Sequence, residues 1–211
     1  MNLLEKNKLI KESVHQYRLL RYRYLQLIDQ MRGPDFTRAV SVEELNLDPQ
    51  LSRMYYASTP HIKRIFKKLH ITMDDSILDI GCGKGRAMYY MSKFPFRSIA
   101  GVEISPMLCE IAQSNFKKLH EVRCDIYLQD ALVFQDYDQY NYIYFYNPFS
   151  EEVLYQCMQY IQQSIIRLPR KVIIIYHNPV YSQAIEQSGF TLVQRQHFDR
   201  FFIYQNIDTL L

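Results

Sequence analysis

Two periodicities divide the chain. Toward the N-terminus, Ile10, Val14, Tyr17, Leu20, Tyr24, Leu27 and Met31 recur every three or four positions, the spacing that lines one face of an α-helix. Gly33-Pro34 stops that helix. The following stretch, to about residue 58, reads as an irregular connector with room for one short helix. Thr59-Pro60 then opens another helix, Thr as cap and Pro at its first position, running to about Leu69. From Ser76 the pattern changes. Short apolar runs of strand type stand at 76–80, 97–103, 124–128, 141–146 and 171–176, separated by helical stretches near 85–93, 106–119 and 150–167. This alternation predicts βαβ units and an α/β fold with a mostly parallel sheet. A last helix ends at Gly189, and "FTLVQRQHF" with "RFFIYQN" closes the chain as an antiparallel hairpin. The organisation expected is an N-terminal helical extension and connector, 1–58, followed by one domain, 59–211.

Charge sharpens this division. Residues 1–32 carry seven Lys or Arg against Glu5, Glu12 and Asp29, whereas the rest holds 18 basic and 19 acidic side chains. The net +3 therefore belongs to the N-terminal segment, and charge alone does not support nucleic acid as a partner. The apolar face of that helix is too continuous for a free tail. It is expected to pack on the domain and cover the site, with a structural clasp or a contact between two copies as alternatives. Its charged start does not read as a secretory signal, and no run approaches a membrane span. The four cysteines, Cys82, Cys109, Cys124 and Cys157, have neither CxxC nor zinc spacing. They read as reduced thiols in a cytoplasmic protein without a metal site.

The candidate chemistry sits in "SILDIGCGKGR", residues 76–86. Three of the six glycines of the chain, Gly81, Gly83 and Gly85, fall here on alternate positions, after a strand and before a helix. Such a turn lets a ligand approach the backbone closely. The dinucleotide fingerprint fails, because Arg86 stands where its third glycine belongs, and the phosphate loop fails after Gly85. Asp79, two residues ahead of the first glycine, would repel a pyrophosphate but suits a cationic ligand. Cys82 reads as a small side chain facing the core. Lys84 and Arg86 read as solvent-facing or helix-pairing.

From about Tyr55 onward the chain resembles the class I S-adenosylmethionine-dependent methyltransferases, in particular small bacterial members of undefined target. The resemblance implies a Rossmann-like, doubly wound, seven-stranded sheet and S-adenosyl-L-methionine as cofactor. It implies that Asp79, Gly81, Cys82, Gly83 and Gly85 pass under the methionine moiety, and that Glu103 in "GVEIS" holds the ribose hydroxyls. Ile104 would lie on the adenine face, with Asp130 and Ala131 of "QDAL" at the adenine amino group. "YFYNPF" matches the motif that closes the fourth strand. There Asn147, Pro148 and Phe149 are candidates to receive the methyl acceptor. Pro148 should hold Asn147 extended, so that two carbonyl oxygens accept from an amino group while Phe149 offers a ring face. The triplet resembles the D/N-P-P-Y/F motif of amino-methyltransferases but lacks the second proline. A plain strand-ending turn is the alternative. His177 reads as a loop histidine satisfied by backbone, with a general-base role as the alternative. The expected function is methyl transfer to nitrogen. The acceptor stays open between a small amine, a protein lysine and a base, and a non-catalytic cofactor-binding protein is the remaining alternative.

Overall fold

The computed structural model describes residues 3–45, 62–147, 149–196 and 200–206. The Thr59-Pro60 cap, Pro148 and the hairpin turn at 197–199 lie outside them. Five strands follow the apolar runs: β1 (Ser76–Ile80), β2 (Ser98–Glu103), β3 (Cys124–Leu128), β4 (Tyr142–Phe145) and β5 (Ile173–His177). The hairpin supplies β6 (Phe190–Gln196) and β7 (Phe201–Asn206). Together they form one seven-stranded sheet in the order β3-β2-β1-β4-β5-β7-β6. The first five are parallel neighbours, and β7 enters antiparallel between β5 and β6.

Alternation along the central strands explains the layers, since successive side chains point to opposite faces. Leu78, Ile80, Ile143, Phe145, Ile174 and Tyr176 face one core, covered by α6 (Glu151–Arg167) and α7 (Ser182–Gln187). Ile77, Ile99, Tyr142, Tyr144 and Ile175 face the other, covered by α3 (Ile62–Phe66), α4 (Arg86–Met91) and α5 (Pro106–Lys118). Every residue of β1 and β4 is buried, as expected for parallel strands sandwiched between helices. The helix expected to reach Leu69 ends at Phe66, where Lys68 N bonds Ile65 O and Leu69 N bonds Phe66 O. These shorter-range bonds tighten its last turn.

The N-terminal helix α1 runs over Leu3–Arg32, and the connector holds the short α2 (Val42–Leu45). Its packing corrects the expectation. Tyr17, Leu20, Tyr24, Leu27 and Met31 are exposed, Met31 at 86%. From Tyr17 to Met31 the apolar stripe therefore does not pack on the domain. Polar groups attach the segment instead. Asp29, buried in the last turn of α1, accepts from the backbone N–H groups of Phe36 and Thr37 and from the Thr37 hydroxyl, and pairs with Arg86 at 4.0 Å. The Lys84 ammonium, fully buried, reaches Asp35 Oδ2 at 2.9 Å and Arg38 O at 2.8 Å. Asn115 of α5 completes the clasp, accepting from Asp35 N and donating to Asp35 O and Lys84 O. Neither Lys84 nor Arg86 is solvent-facing, and Arg86 also donates to the Tyr90 hydroxyl one turn along α4 at 3.1 Å. They fasten residues 29–38 to the glycine loop.

A buried ion pair that loses one partner leaves an uncompensated charge or dipole. Lys84→Met is therefore expected to free the connector, making residues 33–45 a preferred site of limited proteolysis while the sheet domain stays intact. S-adenosylhomocysteine affinity should fall severalfold in the same variant, because the clasp holds the glycine loop expected to carry the cofactor. Wild-type cleavage rates and affinity in Lys84→Met would detach the clasp from the loop.

Candidate active site

The parallel register brings the ends of five strands to one edge. Ile80 pairs with Val102 and Phe145, Glu103 with Leu128, and Phe145 with Tyr176. Open α/β sheets bind ligands at this edge. The glycine loop leaves β1 there. Gly81 N and Cys82 N both bond Val102 O, at 2.9 and 3.1 Å, folding the turn over β2. Gly81, Gly83 and Gly85 take φ of +75°, +55° and +78°, a region that side chains disfavour. At Gly101 of β2 the constraint is proximity: a Cβ would come within 2.6 Å of both Cys82 Sγ and Met88 Sδ. The Cys82 side chain thus faces the core, and burial, with Asp79 and Glu103 nearby, pushes its thiol well above the usual range. Such a thiol is inert.

Asp79 and Glu103 are the buried carboxylates of the site. Glu103 is engaged on both oxygens, Oε2 accepting from Gly83 N at 2.9 Å and Oε1 from Ser105 N at 3.0 Å. Burial pushes its pKa up while these N–H groups draw it back. Each oxygen retains capacity for a second donor. Asp79 differs. Its Oδ2 is buried without a hydrogen-bond partner, and burial, reinforced by Glu103, holds its carboxyl well above the ordinary 3.8. An unsatisfied buried carboxylate oxygen is costly. A cationic donor relieves that cost, and the ammonium end of S-adenosyl-L-methionine is one. The residues present fit that cofactor.

The remaining candidates lie at the same edge. Ile104 follows Glu103 and is half-buried. Asp130 Oδ1 accepts from Leu132 N at 2.9 Å, and its main-chain oxygen accepts from Val133 and Phe134, so the residue shapes the loop after β3. Ala131 is buried beside it, its carbonyl bonded by the Tyr137 hydroxyl. Asn147 sits two residues past β4, half-buried, and Phe149 packs against the α6 side of the core. Asn147 has φ +42°, left-handed and not extended. Asn tolerates this region better than most residues, and its Oδ1 accepts from the Tyr176 hydroxyl at 3.1 Å. His177 is no loop residue: it closes β5, buried between the rings of Tyr146 and Phe201, each 4.0 Å away. Its Nδ1 lies 2.9 Å from the Tyr144 hydroxyl, so a side chain meets the ring. Tyr176 escaped the sequence reading, in which Lys84 is solvent-facing or helix-pairing; β5's alternation places Tyr176 in the core with Phe145, but no local motif marks its contact with Asn147.

The family model for ribosomal RNA adenine dimethylase matches residues 45–190. The chain belongs to this family. It is a member of the class I S-adenosyl-L-methionine-dependent methyltransferase family. A curated relative, the rRNA adenine N-6-methyltransferase of Limosilactobacillus reuteri, is 32% identical over 63 residues, which is 30% of this chain and 25% of that protein. The match thus spans a quarter of the relative's length. Among solved structures, an RNA methyltransferase from Salinibacter ruber in complex with S-adenosyl-L-homocysteine superposes with TM-score 0.57 at 14% identity, over 74% of this chain and 95% of that one. A ribosomal protein L11 methylase from Lactobacillus delbrueckii subsp. bulgaricus gives TM-score 0.54 at 17% identity, over 75% and 82%. These two likenesses establish the fold. Among the described residues of this family member, no group of three or more His, Cys, Asp or Glu could hold a metal ion, and no helix is long and apolar enough to cross a membrane.

The raised Asp79 pKa has a consequence for binding. Its protonated form favours the folded state below about 3.8, and that contribution is lost as pH rises through the folded value. A cation at Oδ2 lowers the folded value, so the complex binds fewer protons than the free protein. S-adenosylhomocysteine affinity is therefore expected to rise with pH from about 4 upward, up to where the ligand's own ammonium titrates. Calorimetry in buffers of different ionisation heat should register proton release. Heats independent of buffer would mean that Asp79 is already ionised in the free protein.

Proposed function

We propose that this protein transfers a methyl group from S-adenosyl-L-methionine to the exocyclic amino nitrogen of an adenine in RNA. The observation that carries the reading is the Asn147 carboxamide at the end of β4, its oxygen fixed as an acceptor by Tyr176, with the Phe149 ring two residues on. When bound, the cofactor supplies an electrophilic methyl group on a sulfonium. The residues do the rest by placement. Asp79 would take the ammonium, Glu103 the ribose hydroxyls, and Ile104 with Asp130 the adenine of the cofactor. Asn147 Oδ1 would accept an N–H of the acceptor, concentrating electron density on a nitrogen held roughly 3 Å from the methyl carbon. Phe149 would stack against the flat base.

A neutral amine suits this site better than a lysine. A lysine arrives as an ammonium with a reference pKa of about 10.4 and must lose a proton first. His177, the base nearest in sequence to such a task, is buried between two rings with Nδ1 on Tyr144. The family match and the Limosilactobacillus reuteri relative favour adenine in RNA among neutral acceptors.

The test is transfer of tritium from labelled cofactor to an unmodified ribosomal RNA transcript, with core histones as the lysine control. Nucleoside digestion of the RNA should place the label in N6-methylated adenosine. Label in histones and none in RNA would overturn the reading.

A further inference from the structure

We propose that Tyr176 is the positioning residue that sets which end of the Asn147 carboxamide meets the methyl acceptor. The inference rests on the assignment of Asn147 to the acceptor amine and names the group that makes that assignment work. Tyr176 is 1% exposed, and pairs in register with Phe145 across β4 and β5. Its ring meets Phe145 edge-on, with centroids 6.2 Å apart. Phe145 and Tyr176 face the same core, and the phenol reaches past the end of β4. There its hydroxyl donates to Asn147 Oδ1 at 3.1 Å and accepts from Tyr181 N at 3.4 Å.

The second contact settles the direction of the first. A phenol has a single proton. With Tyr181 N–H donating to the hydroxyl oxygen, that proton is directed to Asn147. A flipped carboxamide would give up the O–H···O bond and crowd a second N–H donor onto an oxygen that already accepts from Tyr181. Tyr176 thus selects the orientation in which Oδ1 is the fixed acceptor. An amide alone has no such preference, because its oxygen and nitrogen are nearly the same size. The left-handed backbone of Asn147, φ +42°, brings the short side chain back toward β5 and makes the contact possible. In the flipped state two N–H donors would face each other across the acceptor, and the amine would be repelled. The signal lies in long-range pairing, 29 residues apart in the chain.

Tyr176→Phe deletes one oxygen atom and keeps the ring packing. A neutral hydrogen bond of about 0.5–1.5 kcal/mol corresponds to a rate loss of roughly 2- to 12-fold. Turnover on the RNA transcript is expected to fall within that range, with S-adenosylhomocysteine affinity unchanged and Tm lowered by no more than about 2–6 °C. In the background of Asn147→Ala the same substitution should add nothing, since Tyr176 acts through Asn147. Independent of any substrate, the side-chain amide pair of Asn147, assigned by its disappearance in Asn147→Ala, should move or broaden in the NMR spectrum of Tyr176→Phe. Rate losses that multiply in the double variant, or Asn147 amide signals identical in wild type and Tyr176→Phe, would overturn the proposal. A transcript that accepts no methyl group counts against the RNA reading alone, because the amide measurement still decides the role of Tyr176.

Discussion

Asp79→Asn is expected to deprive the protein of its cofactor while leaving the fold no less stable. The two effects have one cause. Asp79 carries a buried carboxylate oxygen that no protein donor satisfies, beside a second buried carboxylate. In the free protein this is a cost, and in the complex it would be the counter-charge of an ammonium. Breaking a buried charge pair costs about 3–5 kcal/mol, so S-adenosylhomocysteine affinity should fall more than a hundredfold. The neutral amide escapes both desolvation of charge and repulsion from Glu103. Thermal unfolding should therefore show Tm equal to wild type near pH 4 and increasingly above it as pH rises. A variant that both unfolds earlier and binds normally would show that Asp79 holds the fold rather than the ligand.

Asn147→Ala should separate chemistry from cofactor binding. If the amide oxygen accepts an N–H that polarises as the nitrogen becomes tetrahedral, the interaction belongs to the transition state more than to the ground state. Losing one preorganised polar group of this kind lowers rates by about 10²-fold or more. The expected result is that loss in turnover on the RNA transcript, with S-adenosylhomocysteine affinity within about twofold of wild type. Asn147→Asp retains an acceptor oxygen and should keep part of the activity on a neutral amine. Equal turnover in wild type and Asn147→Ala would reduce the Asn-Pro-Phe triplet to a strand-ending turn.

The parallel sheet was legible because each strand is encoded locally. An apolar run such as "SILDI" is bounded on both sides by turn and helix signals, and "SIAGVE" ends in a carboxylate that lands beside the glycine loop, as the order of elements implies. What lay hidden depends on pairs distant in sequence. Lys84 and Arg86 look like surface cations until Asp35 and Asp29 fold back over them. The apolar stripe of α1 has helical spacing, yet spacing records only that a face exists, not what meets it. Asn147 before a proline reads as extended by local sterics, and a buried tyrosine from the neighbouring strand accompanies a different backbone state. His177 shows the same limit, since only the paired strands reveal Tyr144, Tyr146 and Phe201 around it. Local rules thus located the edge of the sheet where the candidate residues gather, while the orientation of their polar groups was set by tertiary contacts.

The acceptor atom is the centre of the account, and the carbon shift of the transferred methyl group reads it directly. With cofactor labelled by ¹³C in its methyl group and an unmodified ribosomal RNA transcript, the product spectrum should contain a methylamino signal that coincides with added N6-methyladenosine after digestion. A labelled methyl on ring nitrogen, on oxygen or on carbon, or a protein lysine labelled in place of the RNA, would contradict it.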